Sequence, residues 1–236
     1  MQRISQQGNE LLKFEGLDNK NVGYRFPGPE GTSGPMNSIV QTGIQTLSKL
    51  DDAAVAVRKD NTFSPVGRAQ QLQPQIDKAK ADIGDRMQRV QVEQQRIHAA
   101  RAAIFAPPAL DPTDAVGAAL DREIRDRFGT LNATPNGLAN LKVLLLNGGN
   151  ERVLQALLRD PFDSPGAEFA RSVWAERVTK SKQAELATLE ANEQAAQWAG
   201  STLTALGSVL DHAAASLSNY VPPNPRTNPN RTSQFA

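Results

Sequence analysis

Side chains that could carry chemistry are few in this 236-residue chain, and their spacing brings none together. His98 and His212 are the two histidines, and neither stands at metal-ligand spacing from the other, so each reads as a helix surface or interface residue. Cysteine is absent, which excludes disulfides, thiol catalysis and cysteine metal sites. The acidic groups Asp121, Glu123 and Asp126, and Glu185, Glu190 and Glu193, fall on predicted helices with no partner that spacing can show, and read as solvated faces. Gly23, Gly28, Gly31 and Gly34 are interrupted by prolines and precede no predicted strand, so they do not form a phosphate-cradling loop. Asn132-Ala133-Thr134 and Asn230-Arg231-Thr232 match the glycosylation sequon, a pattern too common to count without a secretion signal. The expectation is a chain with no catalytic, cofactor-binding or metal-binding residue.

The pattern that stands out is built for packing. Ile76, Ile83, Val90, Ile97 and Ile104 recur every seven residues, which keeps them on one helix face. The positions four residues on, Lys80, Met87, Gln94 and Arg101, are poor companions, so the seam needs a complementary surface. This helix is expected over about 69–106, roughly 50 Å long, with Pro74 in its first turn and Pro107 and Pro108 as its stop. An earlier helix, from a cap at Asn37 to about Lys59, carries Val40, Ile44, Leu47, Ala54 and Val57, and a break follows over 60–67.

Residues 111–160 have the densest leucine content and clear punctuation, and predict a small head of three short helices. Asp111-Pro112 starts the first, Val116, Leu120, Ile124 and Phe128 are its stripe, and Gly129 ends it. Thr134-Pro135 starts the second, with Leu138, Leu141, Leu144 and Leu145, and Gly148 stops it. Asn150 caps the third, with Val153, Leu154, Leu157 and Leu158, up to Pro161. Ser164-Pro165 then opens a stretch free of proline as far as Pro222, which predicts one helix of roughly 55 residues, about 80 Å. Leu186, Leu189 and Ala196 begin its stripe, and Leu203, Leu206, Leu210, Ala213, Leu217 and Tyr220 continue it, with Gly200 and Gly207 marking a bend or a close approach.

Two long amphipathic helices around a compact head predict an all-α fold, an elongated hairpin in which the helix over 165–220 covers the isoleucine seam. Domain organisation follows: 1–36 as a short helix over 3–15 (Ile4, Leu11, Leu12, Phe14) and a Gly/Pro-rich arm, 37–220 as the helical domain, and 221–236 as an extended Pro/Asn-rich tail. In the arm, Tyr24 and Phe26 read as docking anchors. The seam residues together with Leu203, Leu206, Leu210 and Leu217 are the candidate assembly interface. Aromatics at 5% argue against a dense self-contained core, and 26 Lys plus Arg against 25 Asp plus Glu removes the electrostatic footprint of a duplex-binding protein. Met1 to Leu17 is too polar for the core of a signal peptide, and no stretch approaches a transmembrane length.

Two resemblances add expectations. Residues 4–16, Ile-Ser-Gln-Gln-Gly-Asn-Glu-Leu-Leu-Lys-Phe-Glu-Gly, resemble the opening of phage-type lysozymes, whose first helix ends in a Phe-Glu-Gly motif. That likeness implies Glu15 as a catalytic acid; the alignment needs a one-residue deletion before Phe14, and the family's downstream Thr-x-Gly-Tyr-Gly segment is absent. More of the chain resembles small virion proteins of tailed bacteriophages: Ala- and Gln-rich helices, extended arms, and the run Leu144-Leu145-Leu146-Asn147-Gly148-Gly149-Asn150 leading to Leu157-Leu158-Arg159-Asp160-Pro161. This implies a non-enzymatic multicopy component located in the virion, foremost an internal or ejection protein forming a ring or channel for genome delivery, or else a head-to-tail or tail component. Expected partners are a homo-oligomer and other virion proteins (portal, tail or ejection proteins), with non-specific contact with packaged DNA and contact with the host envelope after ejection open to such a protein. A peptidoglycan-cleaving enzyme using Glu15 and a cellular coiled-coil adaptor are the alternatives.

Overall fold

The computed structural model describes residues 2–6, 9–17, 23–27, 34–131, 135–147, 150–161 and 164–218. The fold is predominantly helical. The chain divides into two compact units, unit 1 from residues 1–95 and 192–236 and unit 2 from residues 96–191. The proposed tail over 221–236 lies outside the described residues, as do Tyr220, Thr134 and Gly148.

Unit 1 begins with strands where a helix was expected. β1 (Gln2–Gln6), β2 (Asn9–Lys13) and β3 (Gly23–Pro27) form an antiparallel sheet in the order β1-β2-β3. The register runs from Gln2 opposite Lys13 to Gln6 opposite Asn9, then from Asn9 opposite Pro27 to Lys13 opposite Gly23. Ile4, Leu11, Leu12 and Phe14 suit a helical stripe, but the sequence leaves only Gln7 and Gly8 between two five-residue runs, a spacing that suits a hairpin, and strand pairing wins. The lysozyme-like opening therefore lacks the helix that its resemblance implies. Tyr24 and Phe26 stand in β3, opposite Leu12 and Glu10, so this part of the arm is a sheet strand; their side chains lie outside the described residues.

α1 (Pro35–Lys59) starts two residues before the expected cap: Gly34, at φ 107, is its N-cap and Pro35 its first residue. Asp60 ends it and, with Ser64, shapes a short break: Asp60 Oδ1 accepts from the amide and hydroxyl of Thr62, and Ser64 Oγ accepts from the Gly67 amide. α2 (Pro65–Phe105) thus begins earlier than expected, and Pro74 falls inside it instead of in the first turn. Pro74 and Gln70 are both exposed, so water can meet the carbonyl that proline leaves unpaired. α7 (Gln183–Ser218) supplies the third helix of unit 1 through its residues from 192 onward.

In unit 1 the α2 seam is buried, with Ile76, Ile83 and Val90 at most 5% exposed. Its companions are three residues on or four before, not four on: Leu72 and Ala79 are buried, whereas Lys80 is half-buried and pairs with Asp211 of α7 at 2.6 Å. Val90 meets Gly200 and Lys80 meets Asp211, so these stretches of α2 and α7 run antiparallel. Gly200 marks that approach and α7 is continuous through it and through Gly207. At Gly43 of α1, an added Cβ would lie 3.2 to 3.3 Å from methyls of Leu203, Ile83 and Leu206, so three helices converge on a residue without a side chain. Leu203, Leu206 and Leu210 are buried there, and Leu217 is half-buried.

Unit 2 contains α3 (Ala115–Leu131), α4 (Pro135–Leu146), α5 (Glu151–Leu158) and α6 (Pro165–Ser181), besides the ends of α2 and α7 that fall within residues 96–191. Ile97 is buried and Ile104 half-buried in it. Its core comprises Leu141, Leu145, Val153, Leu154, Leu157, Leu158, Ala170 and Val173, with Ile124, Phe128 and Trp174 packed against it. Two expectations are corrected. Asp111 shapes a turn by accepting from the Thr113 amide and hydroxyl, and Asp114 takes the capping role, accepting from the Gly117 amide at 2.7 Å; α3 then runs past Gly129. The predicted single helix over 165–220 breaks at Lys182, so α6 and α7 are separate elements. Ser164 does cap α6 as expected, its Oγ accepting from the Ala167 amide at 3.2 Å.

Two glycines test this packing in opposite directions. At Gly16 a Cβ would strike the backbone of Asp51 and Val55, so Gly16→Ala should lower stability by about 1–3 kcal/mol in urea unfolding. Gly84 lies exposed in α2 with nothing within 4 Å, so Gly84→Ala should raise it by about 1 kcal/mol in the same assay.

Candidate functional site

The segment that resembles a catalytic motif is fastened down by its backbone. Asp51 of α1 is fully buried, and its carboxylate accepts from the amides of Gly16 at 2.7 Å, Leu17 at 3.0 Å and Glu15 at 3.3 Å. Three convergent N–H donors are the environment a buried carboxylate requires. Arg58, in the last turn of α1, donates from Nη1 to the Glu15 carbonyl at 2.9 Å. Phe14 and Leu17 are buried on either side, while the Glu15 side chain is exposed. Gly16 fits because its missing Cβ leaves room for the α1 backbone. The Phe-Glu-Gly triplet thus supplies an apolar plug, an outward acid and a close approach.

In unit 2 the spacing of the acidic residues does not disclose a buried charge cluster. Asp121, expected on a solvated face, is only 2% exposed. Arg159 of the turn after α5 places Nη1 2.6 Å from its Oδ2, and Arg152 of α5 places Nη2 2.8 Å from its Oδ1. Arg159 Nε also donates to the Pro108 carbonyl at 2.9 Å, and Arg152 Nη2 to the Gly117 carbonyl at 2.6 Å. The Arg152 contact with Oδ1 is electrostatic, because that oxygen has no aligned hydrogen bond. The missed signal was one of spacing: Gly117, Asp121, Ile124 and Phe128 form the inward face of α3, one residue round from Val116 and Leu120, which are exposed.

The other candidates stay apart. His98 and His212 are exposed, and among the described residues no group of three or more His, Asp or Glu could hold a metal ion. Glu123, Asp126, Glu185 and Glu190 are exposed, and Glu193 is half-buried. Among the described residues no helix is long and apolar enough to cross a membrane. No protein-family model matches the chain, and neither a curated protein nor a solved structure matches it.

Both charge clusters read as structural fasteners. Asp121→Ala would leave two guanidinium groups facing each other, and should cost about 3–5 kcal/mol in chemical denaturation. A milder effect follows from acid. Hydrogen bonds from the hydroxyl and amide of Thr113 hold the Asp111 pKa below its ordinary 3.8, and Thr62 does the same for Asp60. A folded-state pKa that is depressed means stabilisation present above 3.8 and lost as pH falls through the lower folded value. The amide signals of Thr62 and Thr113 should therefore titrate below pH 3.8 in NMR spectra.

Proposed function

We propose that the chain is a non-enzymatic structural protein that acts by assembling with copies of itself. The observation that carries this reading is uncovered apolar surface in unit 2: Val116 (71%) and Leu120 (46%) one turn apart on α3, and Val143 (58%) and Leu146 (62%) on α4. Each pair shares one helix face, and α3 packs against α4. Exposed apolar residues grouped this way mark interaction surfaces. The setting we propose is a tailed-phage particle, with the protein as a multicopy internal or ejection component forming a ring or channel, or else a head-to-tail or tail component. Its Ala- and Gln-rich helices and its resemblance to virion proteins support that setting. The antiparallel stretches of α2 and α7 in unit 1 support the helical hairpin within this reading.

The mass and symmetry of the native protein test the proposal. Light scattering should give a closed multisubunit species for the wild type, and Val116→Asp with Leu120→Asp should give a monomer with an unchanged helical circular dichroism spectrum. A discrete wild-type dimer would favour a coiled-coil adaptor instead. On a peptidoglycan zymogram, wild type and Glu15→Gln should be equally inactive; lysis lost on that substitution would overturn the non-enzymatic reading.

A further inference from the structure

The N-terminal sheet has two edges, and its register fixes which backbone groups each edge presents. Only Gln7 and Gly8 join β1 to β2, so Gln6 and Asn9, the pair next to that connection, exchange both of their hydrogen bonds with each other. Bonded and non-bonded pairs alternate in an antiparallel ladder, so Ile4 with Leu11 and Gln2 with Lys13 are bonded pairs as well. The N–H and C=O groups of Arg3 and Ser5 therefore point away from β2. Carried through β2, the same alternation makes Glu10 with Phe26 and Leu12 with Tyr24 the bonded pairs of the second ladder, which turns the backbone of Gly23, Arg25 and Pro27 outward on β3.

The two edges differ. Pro27 has no N–H, and a proline at an outward position keeps a further strand from adding there. β1 contains no proline, and no described strand lies beyond it. Its outward groups are two donors and two acceptors from residues two apart, with the backbone of Ile4 turned toward β2 between them. That row is complementary to itself. An antiparallel copy centred on Ile4 sets Arg3 against Ser5 and Ser5 against Arg3, and every outward N–H and C=O of both strands is then bonded. We infer that β1 is an interaction surface whose partner is β1 of a second copy, so that two three-stranded sheets join edge to edge into one. Four hydrogen bonds set against the cost of association make a weak contact, which leaves a dilute chain unpaired. The inference therefore rests on the assembly proposed above for its setting, where copies are already neighbours.

Because the chain has no cysteine, single introduced thiols read the pairing directly. In the paired register the two Ile4 residues form a non-bonded pair with Cα atoms about 4.5 Å apart, within disulfide reach, whereas each Arg3 lies two residues out of register from its own copy, beyond that reach. Under mild oxidation Ile4→Cys should form disulfide-linked dimers at least about tenfold faster than Arg3→Cys or, on the other edge, Arg25→Cys. Ser5→Pro removes an outward donor while sparing the β1–β2 ladder, and should slow the Ile4→Cys cross-link about tenfold. The Leu11 amide signal in NMR spectra establishes that the sheet is kept, and should Ser5→Pro lose it, the ranking of the three thiols decides. Light scattering on the same samples separates this inference from the assembly reading: a monomeric wild type overturns that reading, and the thiol ranking at millimolar protein still decides the pairing. No preference for Ile4→Cys, or a preference that a folded Ser5→Pro leaves unchanged, would overturn the inference. So would slow hydrogen exchange at the Arg3 and Ser5 amides without that cross-link, since a different strand would then cover the edge.

Discussion

Close approach between helices with little side-chain volume is the constraint that governs this fold. Aromatics make up only 5% of the chain, so the core of unit 1 is filled by Ala54, Ala79, Ala196, Ala199 and Ala213 among its leucines and isoleucines. Packing at interior density then requires the helix backbones to come near one another. Gly43 shows this, with methyls from α2 and α7 already closer than ordinary van der Waals contact to the place a Cβ would take. The isoleucine seam works because its companions are small. Lys80, which looked like a defect four residues after Ile76, lies at the edge of the contact and reaches Asp211.

A seam of small residues specifies closeness better than register, since an alanine packs nearly as well one turn along. Buried carboxylates meet that weakness differently, because displacing one by a turn would strand a charge in a dry interior. Asp51 fixes the Gly16 turn against α1 through three amides, and Asp121 fixes α3 against the two arginines from the α5 region. Their energetic value is register as much as stability: a buried ion pair often contributes little net free energy against an apolar replacement, yet losing one partner is costly. Among the described residues each unit thus combines an apolar core with a charged fastener.

How far the sequence discloses this depends on which signals are local. The helical class, the heptad seam, the Ser164 cap and the leucine stripes of α4 and α5 follow from periodicity and capping chemistry, which act within a few residues. The N-terminal strands are not legible in the spacing because Ile4, Leu11, Leu12 and Phe14 also satisfy a helical period, whereas the pairing of Gln2–Gln6 with Asn9–Lys13 depends on contacts between the two runs. The break at Lys182 has neither proline nor glycine to announce it; Ser181 and Lys182 are ordinary helix residues, and the pattern there carries no stop signal. Asp121 was invisible for a different reason. Its partners lie more than thirty residues away in Arg152 and Arg159, and only the fold brings them in.

The Phe14-Glu15-Gly16 triplet shows how one local pattern supports two incompatible readings. As an enzyme motif it needs the acid facing a cleft that holds a second polar partner for the reacting bond. Here the glycine is required by the α1 backbone, the phenylalanine is buried, and the acid is the member of the three that faces solvent. A neighbouring cavity has Arg58 and Arg68 among its lining residues and, among the described residues, no carboxylate, so it gives Glu15 no second acid there. What Gly16 makes possible is proximity of the N-terminal turn to Arg58 and Asp51, and that proximity forms one wall of the cavity.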